Sequence, residues 1–295
     1  MQKYFQNIFV NPSDYAELIY NGTFDKNGAW ENGLLKSNEC EYEVKNGAPF
    51  FGSENEGDQF RDEDIESWTT GGHFKRVWAN KGSHNEFFNN VHHSLTDEIA
   101  GLNLPVMEIA CGPNMGLITH IIAKNSSIQC LATDACPHII TNWQKFLSDN
   151  SINTNISFAS FNAANMPIRS NSVDIITSNI ALSSLRYAGD DCVMGLNEIY
   201  RVLKPGGYIF ALENEYEDMS LINKVFELWG KENWYKNNKL KWTERFEKAG
   251  FDIIYEKSHS KWKLRADDMD LGEAAAKFGI DINGLNSIYK LKKIL

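Results

Sequence analysis

The stretch Val106-Met107-Glu108-Ile109-Ala110-Cys111-Gly112-Pro113-Asn114-Met115-Gly116 decides how the rest of the chain is read. The run from Leu104 to Ile109, broken only by Pro105 and Glu108, has the pattern of a strand. A short turn of small residues follows, and then Leu117, Ile118, Ile121 and Ile122 recur at helical spacing. Strand, tight loop and helix in that order bring backbone N–H groups up to a nucleotide-like ligand. The loop has fewer glycines than a dinucleotide fingerprint, so alone it specifies little, and no Gly-Lys-Ser/Thr follows it, which rules out a P-loop. Glu108, at the strand end, suits a cationic ligand better than a pyrophosphate.

Downstream the pattern alternates. Ile128–Thr133 is strand-like and ends in Asp134, about twenty residues beyond the turn, where a carboxylate accepts hydrogen bonds from ribose hydroxyls. His138–Leu147 is helix-like, Ile156–Ala159 a short strand, and Val173–Thr177 the continuous apolar run of a buried parallel strand. Val193, Leu196, Tyr200 and Leu203 mark an amphipathic helix stopped by Lys204-Pro205-Gly206-Gly207. Tyr208–Leu212 and Phe251–Tyr255 are further strands, and Lys261–Arg265 is expected to be the seventh. Strands alternating with helices predict an α/β fold: a doubly wound, mostly parallel, seven-stranded Rossmann-like sheet with ligand at the C-terminal strand ends.

Upstream, residues 1–60 carry the turn signals Asn21-Gly22, Asn27-Gly28, Asn32-Gly33 and Asn46-Gly47 and are expected to form a small N-terminal β-ribbon. An acidic run from Glu54 to Glu66 follows; Ser83 and Glu86 have capping-box spacing ahead of Phe87, Val91, Leu95 and Ile99. The expected division is a ribbon-like module over 1–60, the α/β domain over 61–265 and a helical extension over 266–295.

The composition is that of a globular protein: 295 residues, 42% hydrophobic and 23% charged. A net charge of -10 argues against a phosphate-backbone partner. No apolar run reaches membrane-spanning length and no basic-then-apolar leader is present, so a cytoplasmic location is expected. The five cysteines, Cys40, Cys111, Cys130, Cys136 and Cys192, form no Cys-x-x-Cys pair, so neither a metal site nor a disulfide framework is expected.

Four ordered blocks carry a family resemblance. Glu108-Ile109-Ala110-Cys111-Gly112-Pro113-Asn114, Ala132-Thr133-Asp134-Ala135-Cys136, the pair Phe161–Ile168 and Asn171–Ile176, and Glu198-Ile199-Tyr200-Arg201-Val202-Leu203-Lys204-Pro205-Gly206-Gly207 together resemble the class I S-adenosylmethionine-dependent methyltransferases, most closely their small-molecule branch (methyltransferase type 11/25-like). The last block is the most specific. Residues 32–51 resemble the small zinc-ribbon-like module that accompanies many methyltransferases, here degenerate and zinc-free because only Cys40 remains of its cysteines.

The resemblance implies S-adenosylmethionine as methyl donor. Glu108 and the backbone of Ala110, Cys111, Gly112, Pro113 and Asn114 would hold its methionine part and Asp134 its ribose. Ala135 and Cys136 would line the adenine, Asn162 and Ala163 would meet its edge, and Asn179 and Ile180 would lie under the sulfonium end. Three positions depart from the family pattern. Ala110 and Asn114 replace glycines, with Asn the best non-glycine residue for a left-handed turn, and Asn162 stands where the family has Asp.

Methyl transfer is an in-line displacement that needs alignment, exclusion of water and, for a hydroxyl or ammonium acceptor, a base. Candidates for the base are Glu213, Glu215, His73 and Tyr187, followed by His84, His92 and His93. Glu213 and Glu215 are favoured by an expected place at the mouth, after a strand, whereas His92 and His93 lie on a helix where packing or solvation is the ordinary role. Trp68, Phe74 and Trp78 would roof an apolar substrate or close the core. The expected function is methyl transfer to a small molecule, with a homodimer as one assembly option. The alternatives are an rRNA/tRNA methyltransferase and a non-catalytic binding protein of the same fold.

Overall fold

The computed structural model describes residues 1–52, 66, 68, 70–79, 86–185, 192–230, 241–266 and 269–294. Most of the acidic run, Ser83 of the capping box, His84 and Tyr187 lie outside the described residues, as do the side chains of His92 and His93.

The strand runs and helix-period runs of the middle of the chain form where the sequence places them. Strands β5 (Val106–Glu108), β6 (Cys130–Asp134), β7 (Ile156–Ser160) and β8 (Val173–Asn179) are parallel neighbours. β9 (Leu203–Tyr216) continues the parallel set beside β8. Val106, Met107, Leu131, Ile175 and Ile176 have no exposed surface, as expected for strands covered on both faces.

On one face lie α1 (His73–Ala79), α2 (Glu86–Leu102), α3 (Ile118–Lys124) and α4 (Pro137–Asp149); Val91, Leu95, Ile99, Ile118, Ile121 and Trp143 pack there against Val106, Cys130 and Ile175. On the other lie α5 (Val193–Val202) and α7 (Trp242–Lys248), whose Leu196, Ile199, Trp242 and Phe246 pack against Met107, Ile176, Ile209 and Tyr289. α6 (Met219–Trp229) and α8 (Met269–Lys277) join in a smaller cluster through Ile222, Phe226, Leu271 and Ala275.

The sheet departs from the expected seven strands. Among the described residues it has eleven: the parallel strands lie in the order β7-β6-β5-β8-β9, four strands within residues 19–50 extend the sheet beyond β7, and two strands within residues 251–293 extend it beyond β9. Lys261–Lys263 is not a separate strand but the end of β10 (Phe251–Lys263). The strand between β9 and β10, antiparallel to both, is β11 (Asn283–Lys293), inside the segment expected to be a helical extension; among the described residues of that segment only α8 is helical.

Three lysines in the final ten residues disguised it, because they suggest a solvated surface. In the fold two of them are hydrogen-bonded individually. Lys290 donates to Glu98 and lies 4.8 Å from the Tyr208 ring centre. Lys293 donates to Asn171 Oδ1 at 2.7 Å and to the carbonyls of Tyr200 at 2.6 Å and Leu203 at 2.8 Å, capping the C-terminal end of α5.

At the opposite edge, β1 (Ile19–Phe24), β2 (Trp30–Lys36), β3 (Glu41–Lys45) and β4 (Ala48–Phe50) form an antiparallel meander, and Phe50 of β4 pairs in parallel with Ser160 of β7. Asn46 (φ 48°) and Gly47 (φ 78°) make the tight turn between β3 and β4. Asn21-Gly22 and Asn32-Gly33 are not turns: Gly22 and Gly33 pair across β1 and β2 beneath Tyr20, where a Cβ on Gly22 would lie 2.4 Å from Asn32 O. Cys40 is a free thiol, and among the described residues no group of three or more His, Cys, Asp or Glu side chains is arranged to hold a metal ion. No described helix is long and apolar enough to cross a membrane.

Candidate functional site

The chain leaves β5 at the point where strand order reverses, with β6 and β7 on one side and β8 and β9 on the other. In open α/β sheets this is where ligands bind. The loop 109–117 crosses that crevice and leads into α3.

Glu108 forms its floor. The side chain is fully buried; its Oε2 accepts from the Thr177 hydroxyl and from Leu117 N–H at 3.2 Å, while Oε1 has no hydrogen-bond partner. Burial, reinforced by the negative charge of Glu213, raises its pKa to about 7 against the bonds from Thr177 and from the Leu117 and Asn179 backbones. An unsatisfied buried carboxylate oxygen is costly in the absence of a donor, and a ligand ammonium is the donor that would relieve it. Gly116, at φ 51°, gives the carboxylate its space: a Cβ there would lie 2.0 Å from Oε1.

The loop is strained and cross-tied. Ala110 takes φ 47° and Met115 φ 59°, both in the left-handed region, together with Gly112 and Gly116. The expectation for Asn114 is thereby corrected, since the left-handed residue is its neighbour Met115. Cys111 N–H donates to Thr133 O at 2.8 Å, Gly116 N–H to Cys111 O at 3.0 Å, and Trp143 Nε1–H to Gly112 O at 3.1 Å. Burial pushes the Cys111 thiol pKa well up, so it is an uncharged lining group.

Asp134 closes the second side. Its Oδ2 accepts from Gly112 N–H at 2.9 Å and its Oδ1 from Cys136 N–H at 2.9 Å, joining the ends of β5 and β6 through one carboxylate. The side chain is about 95% buried, and burial raises its pKa against those backbone bonds. Each oxygen retains lone-pair capacity for a ligand hydroxyl. Next to it, Phe161 N–H bonds Asp134 O at 3.0 Å, and Asn162 begins a tight loop by accepting from Ala164 N–H at 2.8 Å through Oδ1. The Asn162 amide is thus first a turn-former, with one acceptor position left.

On the far side of the crevice Asn179 ends β8, and Ile180 takes φ 58° with its N–H held by Leu212 O at 2.7 Å. A β-branched residue in that conformation is a marked outlier of the kind that clusters at functional sites.

The candidate bases fare unequally. Glu213 is not at a mouth: it is fully buried, and Oε1 accepts from Ser178 Oγ and Leu182 N–H, both at 2.9 Å, anchoring the chain after Ile180. Strand alternation puts Glu213 and Glu215 on the face opposite Leu212 and Asn214, whereas Glu108, paired with Thr177, shares the face of Phe210 and Leu212. Glu215 accepts from Tyr289 at 3.2 Å, and burial beside Glu256 raises its pKa. His73, by contrast, is brought to the loop, with Nε2 3.1 Å from Asn114 Oδ1. Phe74 packs at a tilt against Trp143, ring centres 4.2 Å apart, and Trp78 lies against Phe146 at 6.5 Å, so this pair seals the α1–α4 contact rather than roofing a substrate.

The sequence did not single out Thr177, Gly116 or Trp143. Thr177 was legible in principle, being the residue of the apolar run 173–177 whose register partner is Glu108.

Residues 107–211 match the family model described as a methyltransferase domain. Among curated proteins, a demethylmenaquinone methyltransferase of Lactiplantibacillus plantarum is 26% identical over 125 residues, 42% of this chain and 51% of the relative. The ubiquinone/menaquinone biosynthesis C-methyltransferase UbiE of Bartonella quintana is 25% identical over 127 residues, covering 43% and 47%. The chain spans about half the length of the curated relatives it matches. A solved Galdieria sulphuraria structure assigned as a sarcosine dimethylglycine methyltransferase superposes with a TM-score of 0.51 at 14% identity over 78% of this chain and 98% of that one, a likeness of fold. The matched stretch resembles a methyltransferase domain, and these curated relatives are named as methyltransferases.

Proposed function

We propose that the chain transfers the methyl group of S-adenosylmethionine to a small-molecule acceptor. The observation that carries this reading is the pair of buried carboxylates, Glu108 and Asp134, at adjacent strand ends, the first with an unsatisfied oxygen and the second tied to the Gly112 N–H. A donor with an ammonium at one end and a ribose diol in the middle satisfies both. In this assignment Glu108 and the backbone of residues 110–114 hold the methionine part, Asp134 the ribose, Ala135 and Cys136 the adenine face, and Asn162 with Ala163 the adenine edge. Asn179 and Ile180 flank the sulfur.

The donor supplies an electrophilic methyl on a sulfonium. The acceptor's electron pair forms the new bond to carbon while the carbon–sulfur pair returns to sulfur, and a proton leaves an acceptor that carried one. What falls to the protein is alignment and dryness. The strained turn at Ile180, anchored through Glu213, fixes that alignment. His73, beside Asn114, is the described titratable candidate for moving a proton, and Tyr187 retains its place as a candidate from the sequence.

The names of the curated relatives point to quinone-type acceptors, and a small neutral aromatic acceptor is the first class to test. Calorimetry with S-adenosylhomocysteine, followed by methyl-transfer assays on such acceptors, tests the proposal. One molecule bound per chain and a labelled methyl recovered in a small product support it. Absence of binding at millimolar ligand removes it, and binding without turnover on any acceptor favours a non-catalytic role.

A further inference from the structure

The most family-specific block of the sequence, Glu198–Gly207, lies outside the crevice, yet two of its side chains reach toward it. Arg201 and Glu198 pair on successive turns of α5, with Nε–H to Oε1 at 2.6 Å and Nη2–H to Oε2 at 2.7 Å. The outer edge of the guanidinium donates to Ile168 O at 2.6 Å and Met166 O at 2.9 Å, and Glu198 Oε2 accepts from Met166 N–H at 2.7 Å. The same residue, Met166, is therefore held by both its N–H and its C=O. Both charged side chains are mostly buried, at 19% and 12% exposure, and the Tyr15 ring lies over the guanidinium at 4.3 Å.

Met166 ends the loop that begins at Asn162. One end of that loop is pinned to Asp134 through Phe161 N–H. The other lies past β7, which stops at Ser160; there Met166 is fixed by the Glu198–Arg201 fork, and Pro167–Arg169 by an isolated antiparallel bridge of Ile168 to Phe9, with Val10 N–H to Pro167 O at 3.0 Å and Arg169 N–H to Ile8 O at 2.7 Å. A lysine in place of Arg201 has no planar fork with which to grip the carboxylate and two carbonyls together.

We infer that Glu198 and Arg201 are positioning residues that set the shape of the 162–166 loop and thereby the site's selectivity for a 6-aminopurine. The inference rests on the proposed placement of adenine at Asn162 and Ala163. Neither residue touches the donor; they act through the backbone of Met166.

The test compares the affinities of S-adenosylhomocysteine and S-inosylhomocysteine, which differ in the 6-amino group, for the full chain and for Arg201→Lys, Glu198→Gln and Tyr15→Ala, with melting temperatures recorded for each. The unaltered protein is expected to prefer the adenosyl ligand by about tenfold or more, the scale of one hydrogen bond at a desolvated site. In Arg201→Lys and Glu198→Gln this preference should shrink to about threefold or less through weaker adenosyl binding. Tyr15→Ala, at an exposed residue that keeps the fold, should lower it partway. A merely structural role would lower the melting temperature and leave the ratio unchanged. A ratio equal to that of the unaltered protein in any folded variant overturns the inference. Failure of the unaltered protein to bind either ligand overturns instead the proposed function.

Discussion

The raised pKa of Glu108 makes donor affinity dependent on pH in a way that can be worked out beforehand. Folding holds this carboxyl at about 7, against 4.5 when freely solvated. The folded apo protein therefore keeps a proton that the unfolded chain releases, and its stability falls as pH rises from 4.5 toward 7, by about 3 kcal/mol at 1.36 kcal/mol per unit. Donor binding runs the other way. A ligand ammonium prefers the ionised carboxylate, so affinity should rise about tenfold per pH unit below 7 and level off above it. Glu213, whose charge raises the Glu108 pKa from the opposite face of the sheet, and Asp134, whose own pKa is raised by burial, are other charged groups near this carboxyl; neither is removed in Glu108→Gln. The assay is calorimetric titration of S-adenosylhomocysteine between pH 5.5 and 8 in buffers of different ionisation enthalpy. Close to one proton should be released per ligand at pH 6 and almost none at pH 8, whereas Glu108→Gln should bind more weakly with most of this release abolished. Affinity independent of pH across that range, or proton release persisting unchanged in Glu108→Gln, would refute the role given to Glu108.

Other outcomes follow from single contacts. Gly116→Ala forces a methyl onto Glu108 Oε1 at a left-handed residue and should destabilise the chain by roughly 2–4 kcal/mol and abolish donor binding, as read by denaturant melts and calorimetry. Ala110→Gly releases an alanine held at φ 47°; the strain relieved exceeds the added chain entropy, so stability should rise by up to about 1 kcal/mol with donor affinity kept. Lys293→Met leaves the Tyr200 and Leu203 carbonyls without their buried donor and should cost about 2–4 kcal/mol in a urea melt while leaving donor affinity unaltered. Asp134→Asn, which removes the charge and sets an NH2 against the N–H of Gly112 or Cys136 in place of one acceptor oxygen, should weaken S-adenosylhomocysteine binding by about 1–3 kcal/mol in calorimetry.

What was legible in the sequence and what was not divide along physical lines. The parallel strands β5 to β8 announce themselves because both faces are buried and each is a short apolar run ended by a turn. The loop 109–117 and Asp134, which the fold ties together through Gly112 N–H, were legible as a pair because a turn of small residues and a strand-end carboxylate stand at fixed spacing. The last strand escaped because its lysines are matched by partners remote in sequence, Glu98 for Lys290 and the end of α5 for Lys293, and periodicity contains no trace of such pairs. Two of the Asn-Gly signals misled for a related reason: Gly22 and Gly33 serve a cross-strand contact beneath Tyr20, where the same dipeptide closes a turn at residues 46–47. Glu213 read as a mouth residue because it follows a strand core, but β9 extends past it to Tyr216 and β11 covers its flank.

In the proposed function one ligand is divided among Glu108, Asp134 and the 162–166 loop. A crystal structure of the chain with S-adenosylhomocysteine tests it most directly. The ligand's ammonium is expected within hydrogen-bond distance of Glu108, both ribose hydroxyls on Asp134 and the purine amino edge at Asn162–Ala163. A ligand lying elsewhere on the sheet, or one in the crevice with its ribose away from Asp134, would contradict it.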